Sequence, residues 1–267
     1  EQIESVAEIV KGTGKPLAVH AEDKAIVLTE QNDRISRGLN SWQDYTASRS
    51  IEAETTAVAK LAIIAERTGC RVHIVHLSSA EGLNIVNGYH TEKANFTAET
   101  CPHYLHFTQK DFEIPAIRNY LKTAPPVKFE EDKESLWRAL AEEKFVFVTT
   151  DHAGCNPDEE KSSDNFWEVY GGIPGVEHRV PYLFSEGFLK NRISLNQTIR
   201  LLSTNAANFF QLQKKGKLAV GYDADISLIN LWASETITAS RMHSKGKYTP
   251  FEGLQKNAVV EKTFLKA

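Results

Sequence analysis

The chain has 267 residues, of which 41% are hydrophobic and 25% are charged, with a formal net charge of −4. These values are typical of a soluble globular protein. A weakly acidic charge gives no reason to expect nucleic acid or an anionic membrane as a partner. No apolar run approaches the ~18 residues of a transmembrane helix, so we expect no membrane partner.

Strands and helices alternate through the first half of the chain. The apolar spacing predicts a helix over 1–10, a strand over 16–21, a helix over 50–68, a strand over 71–78, a helix over 79–88, a strand over 95–105, a helix over 130–144 and a strand over 145–150. Residues 24–46 are polar, and we expect an irregular loop there, as over an active site. Residues 123–128 should be extended because of their double proline. This alternation predicts a parallel α/β sheet or barrel.

The pattern changes after residue 151. Residues 154–179 predict a long polar loop, which in a compact domain is usually functional or disordered. Helices are predicted over 180–189, 195–202 and 205–212. The stretch 215–231 predicts two short strands around a Gly-Tyr-Asp turn, as part of a small β layer beside the barrel, and a further strand is predicted near the end, from residue 259.

Three strand ends carry residues of the kind that bind metals. His76, His103 and Asp151 each follow an apolar run, and α/β barrels place their chemistry at the carboxyl ends of strands. Imidazole and carboxylate suit zinc and similar ions, and a catalytic site keeps an open position for water. The three residues therefore predict a metal site.

Each histidine also has a simpler interpretation as a hydrogen-bonded core residue. We apply that interpretation to His20, His73, His90, His106, His178 and His243. His152 follows Asp151 directly, so it either orients the carboxylate or points away from it. The three cysteines, Cys70, Cys101 and Cys155, lack CxxC spacing. They predict reduced thiols in a cytoplasmic protein.

Six motifs resemble those of the cyclic amidohydrolases, a group that includes hydantoinase, dihydropyrimidinase, allantoinase and dihydroorotase. They are IVHLSSAEG, AETCPHYL, APPVK, TTDHAG, GGIPGVEHRVPYLFSEG and KGKLAVGYDADISLI, and they occur in the family's order. The resemblance implies a TIM-like (β/α)8 barrel, incomplete here and represented by its later strands, over residues 1–212. It also implies part of a small β-sandwich over 213–267.

The resemblance implies hydrolysis of a cyclic amide by a metal-bound hydroxide. His76, His103 and Asp151 correspond to metal ligands, and Asp151 also corresponds to the general base and acid. His20 matches a family motif that is not a ligand. The family's His-x-His pair and carboxylated lysine, which complete a site for two zinc ions, are expected upstream of Glu1, so we interpret the chain as a fragment. The resemblance also implies a homo-oligomer, either a dimer or a tetramer.

The substrate ring is less well defined by the motifs. Dihydroorotases carry asparagine where this chain has Ala124, which favours a hydantoin, dihydropyrimidine or allantoin over dihydroorotate. The resemblance implies that Gly171 and Gly172 meet the ring through main-chain contacts, although these glycines could equally form a plain turn. Two alternatives stay open, a dihydroorotase of pyrimidine biosynthesis and a non-catalytic scaffold protein with the same fold.

Overall fold

A three-stranded parallel sheet organises the first half of the chain in the computed structural model, which describes residues 2–90 and 95–265. Strands β1 (Leu17–Val19), β2 (Val72–Ile74) and β3 (Phe96–Ala98) lie side by side in that order. Leu17 pairs with Val72, and Val72 pairs with Phe96. The carboxyl ends of all three strands therefore lie at one edge of the sheet.

Helices separate and cover these strands. They are α1 (Gln2–Lys11), α2 (Lys24–Ser36), α3 (Trp42–Ser48), α4 (Ile51–Thr68), α5 (Ala80–Tyr89), α6 (Pro102–His106), α7 (Pro115–Arg118) and α8 (Glu130–Ala141), with a 3-10 turn over Gln109–Glu113. The serines before α4 and α5 accept hydrogen bonds from the first turn of each helix, as N-cap residues do. Gly69 ends α4 in the left-handed region, with φ of 70°. The predicted boundaries of these two helices are confirmed.

The predicted loop over 24–46 is wrong, because this stretch contains α2 and α3. Asp23 accepts hydrogen bonds from the amides of Ala25 and Ile26 and so begins α2. Ser41 and Asp44 form a reciprocal capping box that begins α3, a device that satisfies two amides which the helix itself leaves unpaired. These caps stabilise two polar helices that have little apolar periodicity.

Two predicted strands differ from the structure. The strand predicted over 95–105 ends at Ala98, and His103 lies on α6. The strand predicted over 145–150 is reduced to one parallel bridge between Thr100 and Val148. The amide of Val148 donates to Leu201 O at 3.1 Å, so this segment shares its hydrogen bonds with a helical neighbour as well as with the sheet.

The second half is mostly helical and then turns to short antiparallel strands. Its elements are α9 (Pro157–Glu160), α10 (Arg179–Tyr182), a π-helix (Leu183–Phe188), α11 (Leu195–Ile199), a second π-helix (Arg200–Thr204), α12 (Asn205–Phe209), β4 (Ile226–Asn230), β5 (Glu235–Thr236), a 3-10 turn (Ala239–Arg241), β6 (Gln255–Lys256) and β7 (Val259–Phe264). Strand β4 pairs with β7, and β5 pairs with β6.

The first of the two strands predicted within 215–231 is wrong. Residues 215–220 form turns and bends, and Leu218 is 83% exposed there. An apolar side chain that makes no packing contacts does not stabilise a strand. The second of these strands is confirmed as β4, and the strand predicted near the end is confirmed as β7.

A continuous apolar core lies between the sheet and the helices. Val58 and Leu61 on α4, Ile74 on β2, Phe96 on β3 and Leu136 on α8 all belong to it. The α/β class is thus confirmed, while the incomplete barrel, the β-sandwich and the boundary between residues 212 and 213 stay predictions. The three cysteines are free thiols. Within the described residues, no helix is long and apolar enough to cross a membrane.

Candidate functional site

Parallel strands bring the candidate site residues to the carboxyl edge of the sheet. His20 follows β1 directly, His76 lies two residues beyond β2, and Asp151 lies three residues beyond the bridge at Val148. Both His76 and Asp151 have positive φ, 41° and 45°. The backbone therefore turns sharply where each of these two side chains leaves its strand.

Two histidine rings contact each other in the site. His20 Nδ1 lies 3.1 Å from His76 Nε2, and the ring centroids are 4.9 Å apart. The other nitrogen of His20, Nε2, lies 3.0 Å from Glu22 Oε2. A carboxylate only accepts hydrogen bonds, so His20 Nε2 carries a proton. In the neutral ring, Nδ1 then presents its lone pair to His76.

This arrangement matches the outer support of a metal ligand. A metal-bound histidine almost always donates its second N–H to a carboxylate or carbonyl group, as His20 does to Glu22. Two nitrogen ligands at 2.0–2.1 Å from a tetrahedral zinc ion are about 3.3 Å apart, close to the 3.1 Å between His20 Nδ1 and His76 Nε2. The space between the two rings therefore suits either a shared proton or a shared cation.

Glu22 is an ionised carboxylate with little access to water. Its side chain is only 2% exposed, and Arg49 forms a close ion pair with the same oxygen that binds His20. Burial raises the pKa of Glu22, but the hydrogen bond from His20 and the charges of Arg49 and Lys128 outweigh it, so the pKa lies below its usual value. The negative charge of Glu22 is thus available to support His20.

His76 is neutral in this environment. Burial lowers its pKa, the charge of Asp151 opposes that effect, and His20 adds to it. Its Nδ1 atom is buried and has no hydrogen-bond partner among the described residues. Asp151 itself is exposed, so water can reach it.

His103 is placed differently from its prediction at a strand end. It lies on α6 and is 2% exposed. Burial, and to a smaller extent His76, lower its pKa to about 3. Its Nε2 atom has no partner among the described residues. A buried imidazole with an unpaired nitrogen has the chemistry of a ligand, but within the described part of the chain His103 Nε2 makes no hydrogen bond to the His20–His76 pair.

The structure does not assemble a complete metal site. Among residues 2–90 and 95–265, no three His, Cys, Asp or Glu side chains come close enough together to hold an ion. The site does offer imidazole nitrogens, namely the facing pair on His20 and His76 and the unpaired buried atoms His76 Nδ1 and His103 Nε2. Zinc prefers donor atoms of this type, so the residues present fit a divalent ion.

The candidate substrate residues lie on two neighbouring segments. Ala124 is half-buried, and Thr123 before it is buried, with its carbonyl oxygen accepting a hydrogen bond from Tyr45 OH at 3.1 Å. Gly171 is exposed, and an added Cβ there would meet nothing within 4 Å. Gly172 is buried, and both its amide and its carbonyl oxygen are hydrogen-bonded within the protein. Of the two glycines, Gly171 is better placed to meet a ligand.

The other histidines mostly follow the simpler interpretation. His73 binds Thr97 and Glu99, His90 binds Phe96 O, His106 binds Tyr182, His178 binds Thr249, and the exposed His243 binds Glu177. The Nδ1 atom of His152 accepts a hydrogen bond from Val176 N at 3.2 Å, so this nitrogen is turned toward the following loop and not toward Asp151.

Sequence reasoning did not predict the contact between His20 and His76 or the support that Glu22 gives to His20. His20 follows an apolar run in the same way as His76, which is the one sequence signal that relates the two residues. Nothing in the sequence links Glu22 to Arg49, which lies 27 residues further along the chain and reaches back to it.

Comparison with known proteins identifies the family. The profile of the Amidohydrolase family matches residues 1–267. An allantoinase of Bacillus licheniformis is 36% identical over 263 residues, covering 98% of this chain and 57% of that protein. An allantoinase of Enterococcus faecalis is 35% identical with the same coverage, 98% and 57%. The chain thus spans little more than half the length of these relatives.

Solved structures give the same result. The L-hydantoinase (dihydropyrimidinase) of Arthrobacter aurescens is 28% identical with a TM-score of 0.94, covering 99% of this chain and 59% of that one. The dihydropyrimidinase of Brevibacillus agri is also 28% identical with a TM-score of 0.94, covering 99% and 58%. The resemblance that the six motifs predicted is confirmed. The chain belongs to the amidohydrolase family.

Proposed function

We propose that this chain contributes to the active site of a metal-dependent hydrolase that opens cyclic amides. The observation that carries the proposal is the pair of nitrogen atoms His20 Nδ1 and His76 Nε2, 3.1 Å apart at the carboxyl edge of the parallel sheet. Family membership and the names of the relatives, allantoinase and hydantoinase, support the reaction class.

In this proposal the facing nitrogens of His20 and His76 would hold the ion, and Asp151 and His103 stay candidates for the further ligands. A divalent ion in this position would supply Lewis acidity, which would polarise a carbonyl group and make water a stronger acid. Zinc suits these imidazole and carboxylate donors. The two-zinc site implied by the motifs stays a prediction.

The chain's own residues have separate tasks in the proposed reaction. Glu22 accepts the Nε2 proton of His20 and so keeps the Nδ1 lone pair directed at the site. Asp151 takes a proton from water as the water oxygen adds to the ring carbonyl carbon. It returns that proton to the amide nitrogen as the C–N bond breaks. The product is a ring-opened acid, and no other co-reactant is needed.

The proposed substrate is an uncharged ring, with allantoin as the first candidate. The 36% identity to an allantoinase exceeds the 28% identity to the hydantoinase structures. Ala124 offers no side-chain donor for the carboxylate of dihydroorotate, and the Thr123 side chain is buried. An unpaired charge in a dry pocket costs several kcal/mol, so dihydroorotate should be disfavoured. We also propose a cytoplasmic homo-oligomer, dimer or tetramer, as the motifs implied.

The substrate test compares kcat/KM for allantoin, hydantoin, dihydrouracil and dihydroorotate, with added zinc, in the protein that carries this chain. We expect allantoin or another uncharged ring to be preferred. A clear preference for dihydroorotate would show that Ala124 does not set the substrate. If none of the four rings is opened and no zinc is bound, the non-catalytic scaffold is the correct interpretation.

The ligand test measures bound zinc in His20→Ala and His103→Ala. We expect His20→Ala to lose more zinc, because His20 faces His76 and is supported by a carboxylate. If His103→Ala lost more zinc than His20→Ala, His103 would be the ligand and the role proposed for His20 would be wrong.

A further inference from the structure

Two buried lysines lie beside the candidate substrate segment. Lys161 is 3% exposed and Lys122 is 5% exposed. Each ammonium group donates to three main-chain carbonyl oxygen atoms. These bonds satisfy the N–H groups, but a carbonyl dipole does not compensate a full charge as a carboxylate does. Such costly groups need a structural or functional explanation.

Lys161 holds the main chain on both sides of Gly171. Its Nζ atom lies 2.7 Å from Tyr170 O, 3.0 Å from Gly172 O and 3.1 Å from Asn119 O. We call these three hydrogen bonds the Lys161 clamp. Tyr248 OH donates to the same Gly172 oxygen at 2.9 Å, so two donors fix the orientation of that peptide.

The clamped segment rests directly on the chain that follows Asp151. Ala153 N donates to Ile173 O at 3.1 Å, and His152 forms a parallel bridge with Ile173. The fit is tight, because a Cβ added at Gly172 would lie 2.7 Å from Ala153. Any movement of residues 170–173 therefore changes the packing around His152 and Ala153, the two residues that follow Asp151.

We propose that Lys161 is a positioning residue, whose buried amino group holds the Tyr170–Gly172 segment against the chain beyond Asp151 and so shapes the substrate side of the site. This positioning role rests on the proposed function. The clamp itself does not, since it is a property of the folded chain.

Proton binding gives the clamp a measurable signature. Burial lowers the pKa of Lys161 to about 7; the nearby Cys155 and Glu160 raise it, and Lys122 lowers it further. The rings of Tyr170 and Tyr248 also face the ammonium group. When the segment opens, Lys161 enters water and its pKa returns toward the ordinary value of 10.5.

The sign of the pH effect follows from this difference. Below pH 7, Lys161 is protonated whether the segment is closed or open, so opening is independent of pH. Above pH 7, opening takes up one proton, and the opening equilibrium constant therefore falls about tenfold per pH unit. The closed segment becomes more favourable as pH rises from 7 toward 10.

Amide hydrogen exchange tests this prediction without an activity assay. Exchange through brief opening depends on the opening constant and on the intrinsic exchange rate, which rises about tenfold per pH unit in base. For the amides of Tyr170 and Gly172, the opening constant falls above pH 7 while the intrinsic exchange rate rises, so the two effects cancel. We expect their exchange rates to stop rising above pH 7, whereas the rates of amides in β2 and β3 continue to rise about tenfold per unit.

Lys161→Arg isolates the contribution of Lys161 from that of Lys122, whose pKa burial also lowers, to about 8. Arginine stays protonated throughout this range, so the logarithm of the exchange rate should rise about one unit per pH unit more steeply than in the wild type. Lys161→Met removes the same proton and serves if the larger arginine prevents folding. Lys190→Arg, at a surface ion pair with Glu186, is the matched control.

Equal pH slopes in the wild type and both variants would overturn the clamp, as would wild-type rates that rise in parallel with those of β2 and β3. The positioning role is then tested by the KM for allantoin, which should rise at least tenfold in Lys161→Met while bound zinc stays unchanged. An unchanged KM would overturn positioning but not the clamp. If the wild type opens no cyclic amide, the proposed function fails and the exchange result stands.

Discussion

Replacing Glu22 by glutamine tests whether the candidate metal centre depends on its buried carboxylate. The carboxylate lies 3.0 Å from His20 Nε2 and forms an ion pair with Arg49. Glutamine keeps the size and one carbonyl oxygen, so it can still accept a hydrogen bond from the Nε2–H group of His20. It removes the negative charge that makes the imidazole of His20 a better electron donor.

The expected loss of zinc affinity depends on whether each substitution keeps the hydrogen bond to His20. Loss of an outer partner of a metal ligand typically lowers metal affinity 10–100-fold, equivalent to about 1.4–2.7 kcal/mol. The Glu22 side chain is 2% exposed, so solvent screens its charge very little. We expect about a tenfold loss for Glu22→Gln, which keeps the hydrogen bond, and about a hundredfold loss for Glu22→Ala, which does not.

The assay is competition for zinc between the protein and a chromophoric chelator. Glu134→Gln is the matched control, because it removes a carboxylate from an ion pair with Arg192 at the surface, where such pairs contribute little. Unchanged zinc affinity in both Glu22 variants would refute the support that Glu22 is proposed to give His20.

Glu22 also predicts a dependence of stability on pH. Its pKa in the folded protein is below the ordinary value of 4.5, so its contribution is present above pH 4.5 and is lost as pH falls through the folded pKa. Urea unfolding between pH 3 and 6 should show a smaller acid loss in Glu22→Gln than in the wild type. Parallel curves for the two proteins would contradict this sign.

Three further substitutions address the chemistry and the packing. Asp151→Asn should abolish turnover of the cyclic amide while bound zinc falls much less, because the amide keeps the shape but is no base. Leu136→Ala should lower the free energy of unfolding by about 2–5 kcal/mol in urea titrations, because this leucine is fully buried in the core. Gly172→Ala should cost about 1–3 kcal/mol, because the new Cβ would lie 2.7 Å from Ala153.

Each of these substitutions has a control of the same chemistry. Asp158→Asn removes an exposed carboxylate from α9 and should leave turnover unchanged. Leu218→Ala truncates a leucine that is 83% exposed, and Gly171→Ala adds a methyl group where nothing lies within 4 Å; both should change stability by less than about 0.5 kcal/mol. If a control lowered turnover or the free energy of unfolding as much as its partner variant, the assigned burial or contact would not be the cause of the loss.

The sequence predicts best the elements that combine an apolar stripe with a clear cap. Helix α4 carries both, with Ser50 at its start and Gly69 at its end. Helix α2 has the cap at Asp23 but buries only Val27, so its apolar pattern is too sparse to recognise. In such a helix the caps and tertiary contacts supply the stability that the pattern does not show.

The site was predictable only in part for a different reason. Strand ends can be read from the chain, and they gave His76 and Asp151. The pairing of His20 with His76 spans 56 residues and depends on which ring nitrogen each histidine presents. For His20, Glu22 decides this through a hydrogen bond to Nε2, and that hydrogen bond has no signature in spacing or composition.

His76 and Asp151 have positive φ angles, 41° and 45°, and this backbone conformation lowers the stability of the fold at two candidate site positions. A non-glycine residue held in this region costs on the order of 1–3 kcal/mol, whereas glycine adopts it freely and loses roughly 0.5–1 kcal/mol in chain entropy. Glycine would therefore stabilise the fold at either position over most of that range. The backbone strain at these two positions is thus the cost of placing an imidazole and a carboxylate, and not a glycine, where the chain turns at the edge of the sheet.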